Sequence, residues 1–195
     1  ERAWEYMRVH RPKLVIGSPE CTAFSQIQNL NKETEESKAK YMEGRRLLKF
    51  MLEMYEEQLK NGRWFLHEHP AYAGSWGLPE VKKILRQEGV MVCTADQCMY
   101  GLKTRGKEKG EEEFAMKRTK FMTNSGCIAD ELSKKCDGTH KHQQLVDGRA
   151  KVAAAYPEGL SRAICEGLKE EMKRWDMGVR KLLSIKLGDE IEAVS

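Results

Sequence analysis

The sequence predicts an α/β fold with a helical C-terminal tail. Short apolar runs alternate with helical patterns in the first part of the chain, which is typical of strand–helix–strand units. A long apolar stripe with spacings of three and four residues follows near the C-terminal end and indicates an amphipathic helix. With 195 residues, 40% of them hydrophobic and 33% charged, the chain is long enough to bury one core.

The first half of the chain alternates helices and strands. The predicted elements are a helix over residues 1–11, a strand over 13–17, a helix over 39–60 and a strand over 63–66. Asn61-Gly62 is a typical helix stop between the last two elements. A short helix is expected to open at Pro79, because proline suits the first helical position, and to end at Gly89.

The second half is expected to complete the sheet and then become helical. Strands are predicted over residues 90–93 and 120–123, and the charged segment from Lys103 to Lys117 is predicted to be a loop. Since no clear helix separates these two strands, we expect them to pair antiparallel. The apolar stripe from Leu160 to Leu182 predicts one helix, so the expected organisation is an α/β domain over residues 1–156 and a helix over 157–195 that packs on it.

Composition excludes several classes of protein. The sequence contains no run of 18 apolar residues, so no transmembrane helix is expected, and it shows no signal-peptide pattern. We therefore expect an intracellular location and no membrane partner. The six cysteines are too sparse for a small disulfide scaffold, which favours free or metal-bound thiols in a reducing compartment. The net charge of +4 is compatible with nucleic-acid binding but does not establish it. Because the chain begins at Glu1 and runs directly into a helical pattern, we expect it to derive from a longer protein.

Two segments that follow predicted strands carry groups suited to chemistry. Cys21 lies on a Gly/Ser/Pro turn after the first strand, where a partly exposed thiol can be activated. Glu68 follows the second strand. Neighbouring parallel strands end at the same edge of a sheet, so the thiol and the carboxylate are expected to share one cleft. The alternatives are a free thiol on an ordinary turn and a hydrogen-bonded loop carboxylate.

These segments resemble the catalytic half of DNA cytosine-5 methyltransferases. That family has a Pro-Cys-Gln turn followed by Phe-Ser, and Glu-Asn-Val after the next strand. The corresponding stretches here are Pro19-Glu20-Cys21-Thr22-Ala23-Phe24-Ser25 and Glu68-His69-Pro70. A closer resemblance, over roughly residues 12–168, is to methyltransferase-like segments of retroelement polyproteins. Those segments share Cys-Thr-x-Phe-Ser, Glu-His-Pro, Asp-x-Cys-x-Tyr-Gly, Thr-Asn-Ser and Cys…His-x-His.

The resemblance implies a partial Rossmann-like methyltransferase sheet that acts on DNA. In that family the thiolate adds to carbon 6 of cytosine, and an acid at ring nitrogen 3 relieves the negative charge that forms. The resemblance assigns these roles to Cys21 and Glu68. The base must leave the duplex to reach them. The donor S-adenosylmethionine is bound by a Gly-rich half upstream of the cysteine turn. We therefore expect a complementary donor-binding segment or chain as a partner.

The resemblance also implies substrate-binding residues around these two groups. On the cysteine turn they are Ser18, Pro19, Phe24 and Ser25. The family also has a basic motif that contacts substrate, and the residues nearest to its position here are Lys117, Arg118 and Lys120. The alternative for these three is a solvated basic run balanced by the acidic residues 111–113. Glu20 replaces the family's proline and is expected to raise the pKa of the neighbouring thiol.

A cluster of metal-ligand residue types lies nearer the C-terminal end. Cys136, His140 and His142 fall within seven residues, and thiolate and imidazole are the ligands zinc prefers. The fourth ligand would be Cys98 or Cys127. The alternative is a helix cap and a loop with a buried thiol.

Three functions stay open at this point. The first is a cytosine-5 methyltransferase-like catalytic segment that needs a donor-binding half. The second is a zinc-supported module of a retroelement polyprotein that binds nucleic acid without catalysis. The third is a structural domain that uses the helix over residues 160–182 as its contact surface.

Overall fold

A computed structural model describes residues 2–24, 34–106, 110–145 and 153–192, with side chains as far as residue 179. The fold is mixed α/β, with two small mixed sheets and a long C-terminal helix. The helices are α1 (Arg2–His10), α2 (Glu35–Lys60), α3 (Pro79–Leu85), α4 (Gly126–Glu131) and α5 (Glu158–Glu192). The strands are β1 (Leu14–Gly17), β2 (Trp64–Pro70), β3 (Met91–Asp96), β4 (Lys103–Arg105), β5 (Glu112–Ala115), β6 (Arg118–Thr123) and β7 (His142–Gln143).

The larger sheet has the strand order β1-β2-β6-β3. β1 and β2 pair in parallel, with Leu14 opposite Trp64, as the βαβ pattern predicted. β3 and β6 pair antiparallel, which confirms the expectation for these two strands. The sheet is mixed, because β6 inserts between β2 and β3 and is antiparallel to both. The described residues between β3 and β6 form no crossover helix, and the chain re-enters the sheet in the opposite direction.

Helices cover both faces of this sheet. Phe65 and Met122 point to the face that packs against α1, α2 and α3, in one buried cluster. Their strand neighbours Leu66 and Phe121 point to the other face and pack against α4 and α5. Successive side chains of a strand point to opposite faces. The adjacent apolar pair in β2 therefore contributes one residue to each core, and so does the pair in β6.

Helix α2 begins earlier than its apolar pattern predicted. The Thr34 hydroxyl caps it by accepting a hydrogen bond from the Ser37 amide, and the Ser37 hydroxyl accepts one from the Thr34 amide. This reciprocal cap lets the polar residues before residue 39 join the helix. The predicted stop at Asn61-Gly62 is confirmed, with Gly62 at a φ of 60°.

Two predictions about strands need correction. β2 continues to Pro70 instead of ending at residue 66, because His69 pairs with Lys120 and Pro70 with Thr119 of β6. Glu68 is therefore a buried strand residue and does not lie on a loop. The segment predicted to be a loop from residue 103 to 117 contains the hairpin of β4 and β5, and β7 adds to it in parallel as the second sheet.

Helix α5 packs on the body through its first turns and is exposed further on. Leu160, Ala163 and Ile164 are buried in the cluster that contains Leu66 and Phe121 of the sheet. Trp175 and Met177 are 55% and 61% exposed. Among the helices that the structure describes, none combines the length and apolar composition that a membrane span requires.

A close contact between α5 and α4 yields a stability prediction. A Cβ on Gly167 would lie 2.7 Å from the Ile128 Cα, whereas a Cβ on Gly178 of the same helix meets nothing within 4 Å. Gly167→Ala should therefore lower the free energy of unfolding by about 1–3 kcal/mol through overpacking. Gly178→Ala should raise it by about 0.5–1 kcal/mol through helix propensity. Urea denaturation compares the two, and equal effects would contradict this contact.

Candidate functional site

The turn that carries Cys21 starts where β1 ends beside β2. Gly17 is the last residue of β1 and lies opposite His67, so the chain after it runs past Glu68. A Cβ on Gly17 would lie only 1.9 Å from the Tyr55 hydroxyl, and glycine is therefore required for α2 to approach this closely. A short 3₁₀ helix, Thr22–Phe24, follows the cysteine and leaves its thiol partly buried.

His69 fixes this turn to β2. Its Nε2 lies 2.9 Å from the Pro19 carbonyl oxygen, and its Nδ1 lies 2.6 Å from the Ser75 hydroxyl. Burial lowers the pKa of His69, which favours the neutral ring. A neutral ring satisfies both contacts when Nε2–H donates to the Pro19 carbonyl and Nδ1 accepts from Ser75.

Glu68 presents a buried carboxylate on the opposite face of β2. Its side chain is 8% exposed, and the Lys117 ammonium lies 3.7 Å from its Oε1. Among the described residues, Oε1 has no hydrogen-bond partner. The same ammonium donates to the Ala153 carbonyl at 3.2 Å. A buried carboxylate oxygen without a hydrogen bond costs free energy, and such atoms recur at binding and catalytic sites.

The charge on Glu68 reaches the Cys21 thiol. The pKa of Cys21 is raised, first by burial and next by the Glu68 carboxylate, while the Lys117 ammonium opposes both. Glu20 also raises this pKa, as the sequence predicted, but its effect is smaller than those of burial and Glu68. The Cys21 thiol is therefore coupled electrostatically to both the Glu68 carboxylate and the Lys117 ammonium.

A tyrosine that the sequence did not single out completes this group. The Tyr156 hydroxyl is hydrogen-bonded to the Ser18 side chain. Burial raises the pKa of Tyr156, and the Glu68 charge adds to the shift. Tyr156 lies far from Ser18 in the sequence and carries no motif besides the following proline, so only the folded chain reveals it.

The remaining predicted substrate-binding residues have varied environments. Phe24 is buried in the core, with its ring 5.8 Å from that of His69. The Arg118 guanidinium donates two bonds to Asp96, at 2.7 and 3.0 Å. The Lys120 ammonium lies 5.1 Å from the centre of the Trp76 ring. Ser25 is outside the described residues.

A second cluster gathers the predicted metal ligands. The ligand atoms of Cys98, Cys136, His140 and His142 all lie within 4.8 Å of one another. The Cys136 Sγ is 3.7 Å from the His140 Nε2 and 3.5 Å from the His142 Nε2. Of the two alternatives for the fourth ligand, the structure places Cys98 in this cluster. The set could hold a metal such as zinc.

The electrostatics of the cluster fit a cation. Burial and the adjacent Cys136 raise the pKa of Cys98 to about 12. Two thiolates this close repel each other unless a positive ion lies between them. The Gly138 amide donates to the Cys136 Sγ at 3.4 Å, and Phe114 packs on the His140 ring with a centroid distance of 4.3 Å. Such outer contacts orient metal ligands.

Comparisons with protein-family models, curated proteins and solved structures find no match for this chain.

The electrostatics of the cysteine turn yield a prediction. Glu68→Gln removes the negative charge that raises the pKa of Cys21, so this thiol should be alkylated faster by iodoacetamide near neutral pH. Glu20→Gln is the matched control and should give a smaller increase. The rate is measured against pH by mass spectrometry of the Cys21 peptide. A larger effect from Glu20→Gln would contradict the arrangement described above.

Proposed function

We propose that this chain is a DNA cytosine-5 methyltransferase-like catalytic segment in which Cys21 and Glu68 act on a cytosine base. The observation that carries the proposal is the electrostatic influence of the Glu68 carboxylate, within β2, on the Cys21 thiol, which lies on the turn after the parallel neighbour β1. A sheet with helices on both faces supports it further, because such a sheet fits half of a Rossmann-like methyltransferase fold.

The residue types suit addition to a pyrimidine ring. The Cys21 thiolate would form a bond to carbon 6, and the electron pair of the 5,6 double bond would move toward ring nitrogen 3. Glu68, in its acid form, would protonate that nitrogen and leave a neutral enamine. Carbon 5 would then take a methyl group from a donor, or a proton from water. Loss of the original carbon 5 proton, return of the nitrogen 3 proton to Glu68 and expulsion of the thiolate restore the double bond.

Further residues of the site have supporting roles. Ser18 and Pro19 shape the turn through Tyr156 and His69, and Lys117 offers a cation beside the reacting groups. The free thiols of the chain suit a reducing intracellular compartment. The DNA base would be flipped out of the duplex to reach Cys21.

The methyl donor requires a partner. In the described part of the chain, β1 pairs with another strand on one side only, so its other edge is open to further strands. We expect S-adenosylmethionine to be bound by a complementary segment or chain that extends the sheet at this edge.

The proposal predicts proton exchange at carbon 5 without a methyl donor. DNA labelled with tritium at carbon 5 of cytosine should release tritium to water, because addition and elimination need only the thiol and the acid. Cys21→Ala should abolish release, and Glu68→Gln should slow it by about 10²–10⁴-fold. Cys165→Ser changes an exposed thiol on α5 and should leave the rate unchanged. Release that persists in Cys21→Ala would overturn the proposal.

The Cys98, Cys136, His140 and His142 cluster favours a second candidate function. With zinc bound, the chain would be a nucleic-acid-binding module that has no catalytic activity. Four protein ligands make a closed site, which suits a structural metal and leaves no position for a reacting water. Salt-sensitive DNA binding without tritium release would favour this candidate.

The metal assignment predicts one zinc ion per chain by elemental analysis of the desalted protein. Cys136→Ser should lose the metal, whereas Cys165→Ser should keep it. Chelation should also lower the melting temperature of the unsubstituted chain, because the metal binds only the folded state. Zinc retained at full stoichiometry by Cys136→Ser would exclude this ligand set.

A further inference from the structure

The backbone around Lys117 is tied to residues adjacent to the metal ligands. The Gln97 amide, next to Cys98, donates to the Lys117 carbonyl at 3.1 Å. The Met116 amide donates at 3.1 Å to the Gln143 carbonyl, next to His142. These bonds connect the segment that bears Lys117 to two separate parts of the metal cluster.

The neighbouring residue Arg118 makes a third connection. Its guanidinium donates two hydrogen bonds to the Asp96 carboxylate, which also accepts a hydrogen bond from the Cys136 amide at 2.9 Å. Asp96 is fully buried, so this carboxylate cannot exchange its protein partners for water without a cost. A shift of Cys136 would therefore displace the Asp96 carboxylate and with it Arg118, which is one residue from Lys117.

We propose that metal binding at Cys98, Cys136, His140 and His142 positions Lys117 beside Glu68 and thereby controls the reactivity of the Cys21 thiol. The inference rests on the metal proposed above. Lys117 acts as a positioning residue, since its ammonium adjusts the charge around the reacting thiol.

The local structure explains why a metal would be needed. β7 has two residues and adds to the edge of a small sheet, and the ligands come from three separate elements. Few backbone pairs hold this region together, so a bound ion would supply much of its stability. The Lys117 side chain is 17% exposed, and its ammonium contacts the Ala153 carbonyl and the Glu68 carboxylate. Loosening of its backbone would carry the ammonium away from both.

The test measures the thiol itself and needs no DNA. Tryptic cleavage gives the peptide of residues 14–32, in which Cys21 is the only cysteine, so its iodoacetamide alkylation is read without interference. The zinc-loaded chain is compared with the chelated chain near neutral pH. Removing zinc should slow alkylation of Cys21 by roughly three- to tenfold, because the thiolate loses a nearby positive charge. Adding zinc chloride should restore the rate.

Lys117→Met is the decisive variant. It should be as slow as the chelated chain, and zinc should no longer change its rate. A rate in the unsubstituted chain that ignores zinc would overturn the inference, and so would faster alkylation after chelation or a zinc effect that persists in Lys117→Met. Tritium release from labelled DNA is scored separately, so failure of the base chemistry and failure of this linkage give different results.

Discussion

The buried carboxylate of Asp96 is the interaction on which the arrangement of both clusters depends. Asp96 is the last residue of β3, and its carboxylate binds the guanidinium of Arg118 at the start of β6. It also accepts a hydrogen bond from the amide of Cys136, on the loop after α4. The Arg118 guanidinium holds the pKa of Asp96 below its usual range, so the pair stays charged. A buried charge is tolerated only when its partners are in place. The hydrogen bonds of this carboxylate therefore connect the sheet, the metal cluster and the segment that bears Lys117.

The apolar elements of the fold could be predicted from the sequence, but the buried polar strand could not. Runs such as Leu14-Val15-Ile16 and the long helical patterns have one strong period. The end of β2 instead places His67, Glu68 and His69 in the interior, where the Tyr55 hydroxyl contacts Nδ1 of His67 and the Ser75 hydroxyl contacts Nδ1 of His69. Those partners come from other elements, and a local pattern does not contain them.

Distance along the chain also limited what the sequence could indicate about the sites. Three candidate ligands within seven residues are visible in the sequence, whereas Cys98 joins them only because β3 ends beside the loop after α4. The insertion of β6 between β2 and β3 is likewise a long-range pairing. β4 and β5 were missed because charged side chains such as Glu112 and Glu113 hide their short period.

The two neutral histidines of β2 give the cysteine turn a dependence on acidity. Burial lowers the pKa of both His67 and His69, so protonation of either ring is disfavoured in the folded state. As pH falls below about 6.5, the unfolded chain takes up protons that the folded chain does not, and the free energy of unfolding decreases. The buried site around His67 and His69, which holds the cysteine turn, is therefore most stable above that pH. The Cys21 thiol, whose own pKa is raised, ionises on the same alkaline side. Support of the turn and activation of its nucleophile thus favour one common pH range.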